Sequence, residues 1–591
     1  MTDQIILFTL LVAVFAGLIW GRWRYDLVAF VALLVALLTG VVPKEQAFSG
    51  FGHPATIIIA LVLIVSRGLS NSGVIELLAR YMIDASRKLA GHIAIMSTLA
   101  ASLSALMNNV AALALLMPVD MQAAKKAGRS PALTLMPLSF ASILGGMITL
   151  IGTPPNIVIA EFRNDALGDG FAMFDFAPVG LACAVVGVAY VTLIGWRLLP
   201  GDRTAGGDGN DLFDIADYIA EVRVPAGSGV IGKRVRELDE LATKSDVEVI
   251  GVTRRGRRMP GLARSVEIRE GDLLVVEASP DSLEEALGNM NLEYVGKGEG
   301  VLKDDDLALS EVVVQESSRL VGKSAMQLRL LYRYSVALVG VSRQGKRFRE
   351  QVRKLIVEPG DVLLLLGPDE RLSDVTGRLG LLPLADRGQR VVQRDKAWIA
   401  VGAFAAAITI ASFGWVYLPV ALGCVAAVYV GTNIVPIREV YDSVEWPVIV
   451  LLGSMIPIGS ALQTTGGTAV IADGILTLSA GLSPVFVLAL LIVITMTLSD
   501  VMNNTATAVI AAPIAVDLAS KLSVSADPFL MGVAVAASCA FLTPIGHKNN
   551  TLIMGPGGYR FGDYWRMGLA LEVLIVVVSV PAILLFWPLA G

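Results

Sequence analysis

Two pairs of adjacent asparagines, Asn108-Asn109 and Asn503-Asn504, each follow a methionine inside a long apolar stretch. Each pair lies ten and nine residues before a proline, Pro118 in the first copy and Pro513 in the second. A carboxamide offers two donors and an acceptor without carrying net charge. In hydrocarbon such a group is costly unless it bonds a ligand or another polar group. A single pair reads equally well as interhelical glue. Two pairs at matched places in two apolar halves point to a site built twice and shared at a midplane.

A second correspondence runs beside the first. Leu150-Ile-Gly-Thr-Pro-Pro-Asn156 aligns with Pro544-Ile-Gly-His-Lys-Asn-Asn550 at an offset of 394, against 395 for the asparagine pairs. Gly152 matches Gly546 and Asn156 matches Asn550. Glycine and proline inside an apolar run interrupt a helix, and the freed backbone is tolerated only in protein or along a polar cavity. Two broken hairpins and two broken spans are therefore expected to converge. Thr153 and Thr543 offer hydroxyls to an anion, or back-bond to helix carbonyls. His547-Lys548 stands where the first copy has Thr153-Pro154. Lys548 fits three roles: an anion ligand, an ammonium in place of a sodium ion, or an ion-pair partner for Asp500.

The elements that position these residues are those of a membrane protein. The chain has 591 residues, is 54% hydrophobic and carries a formal charge of −5, with a mean hydropathy of +0.67. That is too apolar for an ordinary soluble protein. The small net charge argues against a nucleic-acid partner. Cys183, Cys424 and Cys539 lie in apolar segments and read as packed thiols. The first apolar run reads as a span, not a cleaved signal. The expected organisation is an N-terminal membrane repeat (1–200, hairpin 92–119), a charged insert, and a C-terminal membrane repeat (395–591, hairpin 484–518). Basic residues order the faces by the positive-inside rule: Arg22, Arg24, Arg80, Arg87, Lys88, Lys125, Lys126, Arg129, Arg560 and Arg566 fall inside with the insert. The termini then fall outside, and the two hairpins enter from opposite faces as inverted repeats.

The insert is itself duplicated, as 211–293 and 304–386. Val230-Ile-Gly-Lys233 matches Leu320-Val-Gly-Lys323, Val249-Ile-Gly-Val252 matches Leu338-Val-Gly-Val341, and Glu270-Gly-Asp-Leu273 matches Pro359-Gly-Asp-Val362. Arg254-Arg-Gly256 matches Arg343-Gln-Gly345. Each unit reads as a strand, a short helix, a hairpin around Arg-x-Gly and a strand after Gly-Asp. The basic run Arg254, Arg255, Arg257 and Arg258 is either a solvated hairpin or a nucleotide-phosphate site. These paired units resemble the TrkA C-terminal (RCK_C) domain, a small α+β regulatory module. No G-x-G-x-x-G dinucleotide fingerprint is present.

At the asparagine pairs and the Thr-Pro-Pro-Asn run the membrane part resembles the divalent anion:sodium symporter (DASS) family, in its sulfate-type branch with inserted TrkA C-terminal domains. Nearly the whole chain is covered. Family hairpin tips carry Ser-Asn-Thr; the matching positions are Asn108, Asn109, Val110 and Asn503, Asn504, Thr505. The resemblance implies an inverted-repeat fold with two opposed re-entrant hairpins, a homodimer in the inner membrane in contact with lipid, and an elevator motion. It also implies sodium as coupling ion. The substrate residues it points to are Asn108, Asn109, Asn503, Asn504, Thr505, Thr153, Thr543 and Lys548; the sodium residues are Asn109, Gly152, Asn156, Asn504, Gly546 and Asn550. Val110 departs from the pattern by removing a hydroxyl from the first tip.

The function expected is sodium-coupled symport of a small divalent anion, sulfate first, under control of the cytosolic insert and its unknown regulatory ligand. A dicarboxylate symporter and an arsenite- or citrate-type carrier are the alternatives within carriers. An RCK-regulated ion channel is the alternative of another class, but no TVGYG-like filter is present. No nucleophile–base constellation or HExxH motif marks an enzyme.

Overall fold

The computed structural model describes residues 2–20, 23–72, 88–199, 219–238, 247–254, 257–259, 266–277, 283, 287–297, 308–316, 318–334, 336–343, 346–348, 352–384, 396–479 and 482–590. Arg22, Arg80, Arg87, Arg255 and residues 211–218 of the first insert unit lie outside them.

The first set of helices is α1 (Thr2–Trp20), α2 (Tyr25–Leu38), α3 (Pro54–Asn71), α4 (Leu89–Ser104), α5 (Asn109–Lys126), α6 (Leu135–Gly146), α7 (Pro154–Leu167) and α8 (Ala177–Leu193). The second set, after the insert, is α12 (Ala397–Ser412), α13 (Leu418–Gly431), α14 (Ile437–Ser443), α15 (Trp446–Thr464), α16 (Gly467–Leu478), α17 (Pro484–Val501), α18 (Asn504–Leu522), α19 (Asp527–Ser538), α20 (Lys548–Met554) and α21 (Tyr564–Phe586). Among the described residues, five helical stretches are long and apolar enough to cross a membrane; ten shorter apolar helices accompany them.

Packing repeats between the sets. α4 lies on α6 as α17 lies on α19, and α8 and α21 pack on each other. In a second group, α2 packs on α15 and α3 on α13. Close approach needs glycine at the matched crossings. A Cβ on Gly180 of α8 would collide with the Met147 carbonyl, and one on Gly568 of α21 with the Phe541 carbonyl. One continuous apolar core joins both sets.

The insert forms two five-stranded antiparallel sheets of equal topology. The first has β1 (Ile219–Arg223), β2 (Glu248–Arg254), β3 (Arg257–Arg258), β4 (Leu273–Glu277) and β5 (Glu293–Lys297), in the order β3-β2-β4-β1-β5. The second has β6 (Ala308–Val314), β7 (Ala337–Arg343), β8 (Lys346–Phe348), β9 (Val362–Gly367) and β10 (Leu381–Pro383), in the order β8-β7-β9-β6-β10. Short helices α9 (Ala325–Leu328) and α10 (Leu330–Tyr334), and α11 (Asp369–Leu379), flank the second sheet. Even the register shift recurs, between Val249 and Gly251 and between Leu338 and Gly340.

The doubled Arg and Gly-Asp motifs close on each other. Arg254 grips Asp272 with two hydrogen bonds of 2.8 and 2.7 Å, and Arg343 grips Asp361 with two of 2.8 Å. Such bidentate pairs are strong when the carboxylate is buried, as both aspartates are. Arg254 is thereby committed to an internal clamp; the side chains of Arg255, Arg257 and Arg258 lie outside the described residues. Burial alone would push the Asp272 carboxyl up, but the Arg254 guanidinium and the Arg269 N–H outweigh it and hold it below the ordinary carboxylate value. The second unit also meets the membrane helices. The Gly360 carbonyl lies against Gly555 beyond α20, and Val313, Val362, Leu382 and Leu384 join the helical core.

Candidate functional site

Local sequence decides where the hairpins turn. Asn108 Oδ1 accepts from the Val110 N–H at 2.8 Å, and Asn503 Oδ1 from the Thr505 N–H at 2.9 Å. The first asparagine of each pair is therefore a helix cap, supplying an acceptor to an otherwise unpaired N–H. Helices α4 and α17 end just upstream, and α5 and α18 begin at Asn109 and Asn504. The second asparagine of each pair is the buried one. The Asn108 N–H also reaches Ser66 Oγ of α3 at 3.4 Å.

Asn109 and Asn504 sit in matched frames. Ser104 Oγ donates to Asn109 Oδ1 at 2.6 Å, and Ser499 Oγ lies 3.1 Å from Asn504 Oδ1. Ser142 Oγ adds a bond of 2.9 Å to the Asn109 carbonyl. On the breaks, Thr149 Oγ1 donates to the Ala105 carbonyl and Thr543 Oγ1 to the Asp500 carbonyl, each at 2.5 Å. These threonines tie each broken span to its hairpin. Asn156 Nδ2 donates to the Thr149 carbonyl at 2.9 Å, and Asn550 Nδ2 to the Ala540 and Thr543 carbonyls at 2.9 and 3.1 Å. The two asparagines thus hold the freed backbone of the breaks, as irregular chain in an apolar setting requires.

The helices after the breaks start by different chemistry. Thr153 precedes Pro154 and Pro155, a rigid helix start. His547 caps α20, its Nδ1 accepting from the Asn549 N–H at 3.1 Å. From there it crosses the pseudo-symmetry: its Nε2 lies 3.4 Å from Asn109 Nδ2. Asn549 Nδ2 also lies 3.4 Å from the Asn109 carbonyl, and Ser139 Oγ donates to Asn550 Oδ1 at 2.9 Å. The first tip and the second break are therefore in direct contact.

Gly152 and Gly546 stand where backbones nearly touch. A Cβ on Gly152 would strike the Gly146 carbonyl, and one on Gly546 would come 2.8 Å from the Ser499 carbonyl. Gly146 itself underlies the Asn109 carboxamide and leaves no room for a side chain.

Lys548 differs from the anion-ligand and cation-mimic readings. Its Nζ pairs with Glu445, the residue preceding α15, and lies over the Tyr25 ring at 6.0 Å. The ammonium is neutralised there by a carboxylate. Asp500 takes the Leu542 N–H at 2.9 Å, so it is not the lysine's partner.

A sodium ion needs several oxygen ligands at short range. Asn156 Oδ1 and Asn549 Oδ1 are buried carbonyl-type oxygens without a hydrogen-bond partner. That chemistry fits a hard cation beside each break, with Asn549 in place of Asn550 on the second side. No cluster of three His, Cys, Asp or Glu residues suited to a transition metal occurs among the described residues.

Sequence reasoning passed over Ser104, Ser142, Ser499, Thr149, Asn549 and Glu445. A signal existed for two of them: a serine stands five residues before the buried asparagine in both repeats. It also missed the buried His92–Asp120–Thr134 chain, with contacts of 2.7 and 2.5 Å, which ties α4 to α5 and to the loop before α6.

A protein-family model described as citrate transporter (CitMHS) matches residues 15–528 and 487–590. An uncharacterized transporter of Synechocystis sp. is 31% identical, over 99% of this chain and 98% of its own. An uncharacterized transporter of Escherichia coli is 30% identical, over 96% of each. Sodium/sulfate cotransporter 1 of Chlamydomonas reinhardtii is 26% identical over 61% of this chain and 42% of its own length.

Proposed function

This chain belongs to the CitMHS citrate-transporter family, a membrane transporter and not an enzyme, and on that premise we propose that it is a sodium-coupled symporter of sulfate. The observation that carries the proposal is the doubled frame around Asn109 and Asn504. It gathers neutral amides, hydroxyls and the starts of α5 and α18, whose free N–H groups and dipoles favour an anion. Lys548, beside this frame, is bound to Glu445. A small tetrahedral dianion suits neutral donors, with sodium supplying the positive charge through the orphan oxygens of Asn156 and Asn549. The sodium/sulfate cotransporters among the relatives favour the same pair of ions.

In this reading Asn109, Asn504, Thr505 and Thr153 contact the anion, and Asn108 and Asn503 hold the tips as caps. The hairpins are re-entrant, and the group α4–α8 with α17–α21 slides against the group containing α2, α3, α13 and α15 in a dimer of the inner membrane. The insert, as a pair of cytosolic TrkA-C-like units, regulates that slide through Gly360 and Gly555. Citrate is the second reading, favoured by the family model.

Uptake of labelled sulfate into proteoliposomes, with and without a sodium gradient, tests the proposal. Sodium-driven accumulation displaced by sulfate and thiosulfate but not by citrate or succinate is expected. Displacement by citrate alone would transfer the site to the second reading, and sodium-independent flux would remove the coupling.

A further inference from the structure

The proposed slide carries α4–α8 and α17–α21 past α2, α3, α13 and α15, so a polar tie between the two groups must open for it to occur. Two such ties stand at the starts of matched helices. α3 and α15 each carry a proline in their first two positions, and the residue before each helix reaches across to the moving group. His53 precedes α3. Its Nδ1 accepts from the Ala55 N–H at 3.3 Å, which leaves Nε2 to donate to Asp165 Oδ2 of α7 at 3.1 Å. Glu445 precedes α15 and pairs with Lys548, the first residue of α20. Lys548 Nζ also stands 6.0 Å from the centre of the Tyr25 ring on α2.

The two ties differ in strength. The Asp165 side chain is 59% exposed, and its partner donates as a neutral imidazole. The Lys548 and Glu445 side chains are 24% and 26% exposed and carry full opposite charges. Solvent and salt screen a partly buried pair less than an exposed one.

They also differ in where they fall along the broken spans. At the offset of 394, Lys548 matches Pro154 and Tyr559 matches Asp165. Glu445 is therefore met at the break itself, whereas His53 is met eleven residues beyond its break, about 16 Å along α7. A moving group centred between the two helix starts would meet both at equal reach. The unequal reach sets it toward the Glu445 end, the face that the basic residues mark as inner. At the other end of the slide the repeats exchange roles, so that Pro154 faces His53 and Tyr559 faces Glu445. Proline carries no charge. The Tyr559 hydroxyl is spent inside the moving group, donating to the Ala132 carbonyl at 2.5 Å and accepting from the Met136 N–H at 2.9 Å. The exchange yields no ion pair.

We propose that Lys548 and Glu445 form a one-sided latch, an ion pair that holds the moving group at the inner end of its travel and has no counterpart at the outer end. The latch biases the resting transporter toward the inner position, and each outward stroke must open it. It rests on the sliding of the two groups proposed above and not on the identity of the anion.

Double electron–electron resonance on the full-length protein in lipid nanodiscs reads the position. Spin labels on Glu45→Cys, between α2 and α3, and Asp169→Cys, between α7 and α8, sit at exposed sites of the two groups, and Cys424→Ala removes the exposed native thiol. Without substrate the latched protein should give one dominant distance. Lys548→Met and Glu445→Gln should each raise the fraction at a second distance about fivefold. Exchanging the charges, Lys548→Glu with Glu445→Lys, should restore the single distance. Asp165→Asn should leave it in place, since an amide oxygen still accepts from His53. Single variants that keep the unaltered distribution, or an exchange that does not restore it, overturn the latch. If sodium sulfate splits the distances of the latched protein and the variants still match it, the slide stands and the latch falls. If neither ions nor variants move the labels, the slide falls as well. Sodium-driven uptake of citrate in place of sulfate refutes the sulfate reading and leaves the latch standing.

Discussion

The two membrane half-sites share a frame and differ in how completely it is satisfied. Around Asn109 the hydrogen bonds close: Ser104 serves the side-chain oxygen at 2.6 Å, and Ser142 serves the carbonyl at 2.9 Å. Around Asn504 the serine is divided. Ser499 has one hydroxyl proton, and the Ala537 carbonyl, at 2.6 Å, lies closer than Asn504 Oδ1, at 3.1 Å. The Asn504 oxygen is therefore held less firmly than that of Asn109. The first half-site also receives His547 and Asn549 from the other repeat, whereas the second carries Thr505 in place of Val110. One half-site is a fixed anchor and the other an adaptable one. The insert teaches the reverse lesson, since its two Arg–Asp clamps are equal in geometry.

The largest effect should come from removing either amide. Asn109→Ala and Asn504→Ala should each lower sulfate uptake about a hundredfold or more, because buried partners lose about 3 kcal/mol when left unpaired. Wild-type uptake by both would break the site assignment. The insert clamps should then give two equal losses. Asp272→Ala or Asp361→Ala each leaves an arginine without its buried partner and costs about 3 kcal/mol of that unit's stability, read by urea unfolding. Unequal losses would contradict the equivalence of the units. The first clamp has a pH signature. Asp272 is held below its unfolded value, so its contribution is complete above that value and is lost as pH falls through the folded one.

Smaller effects sharpen the inequality of the half-sites. Ser104→Ala should lower uptake about tenfold and Ser499→Ala about twofold, since only Ser104 commits its proton to the asparagine. Equal losses would mean the two tips are held alike. Lys548→Met should change uptake only about twofold and leave the sodium dependence intact, because the ammonium is engaged by Glu445 at a partly buried pair outside the amide frame. A change in sodium stoichiometry would restore the cation-mimic role.

Much of this was legible in the chain. Asparagine–proline spacing marked the hairpin turns because an asparagine cap and the helix it opens are local chemistry. The Gly-Thr-Pro-Pro-Asn run marked a break for the same reason. Duplication of the insert was readable because Arg254 with Asp272 and Arg343 with Asp361 recur at one spacing. The resemblance singled out Asn109 and Asn504 for both ions, but the spacing alone did not show that Asn108 and Asn503 are the caps. Nor did it show that Lys548 belongs to Glu445, which lies 103 residues away.

Local hydrogen-bonding rules and apolar patterning thus determined from sequence where helices start, stop and repeat. Only the tertiary structure decided which half-site is saturated, where His547 reaches, and that Lys548 meets Glu445. Those facts depend on helices distant in the chain packing within van der Waals contact, and sequence spacing carries no measure of that distance.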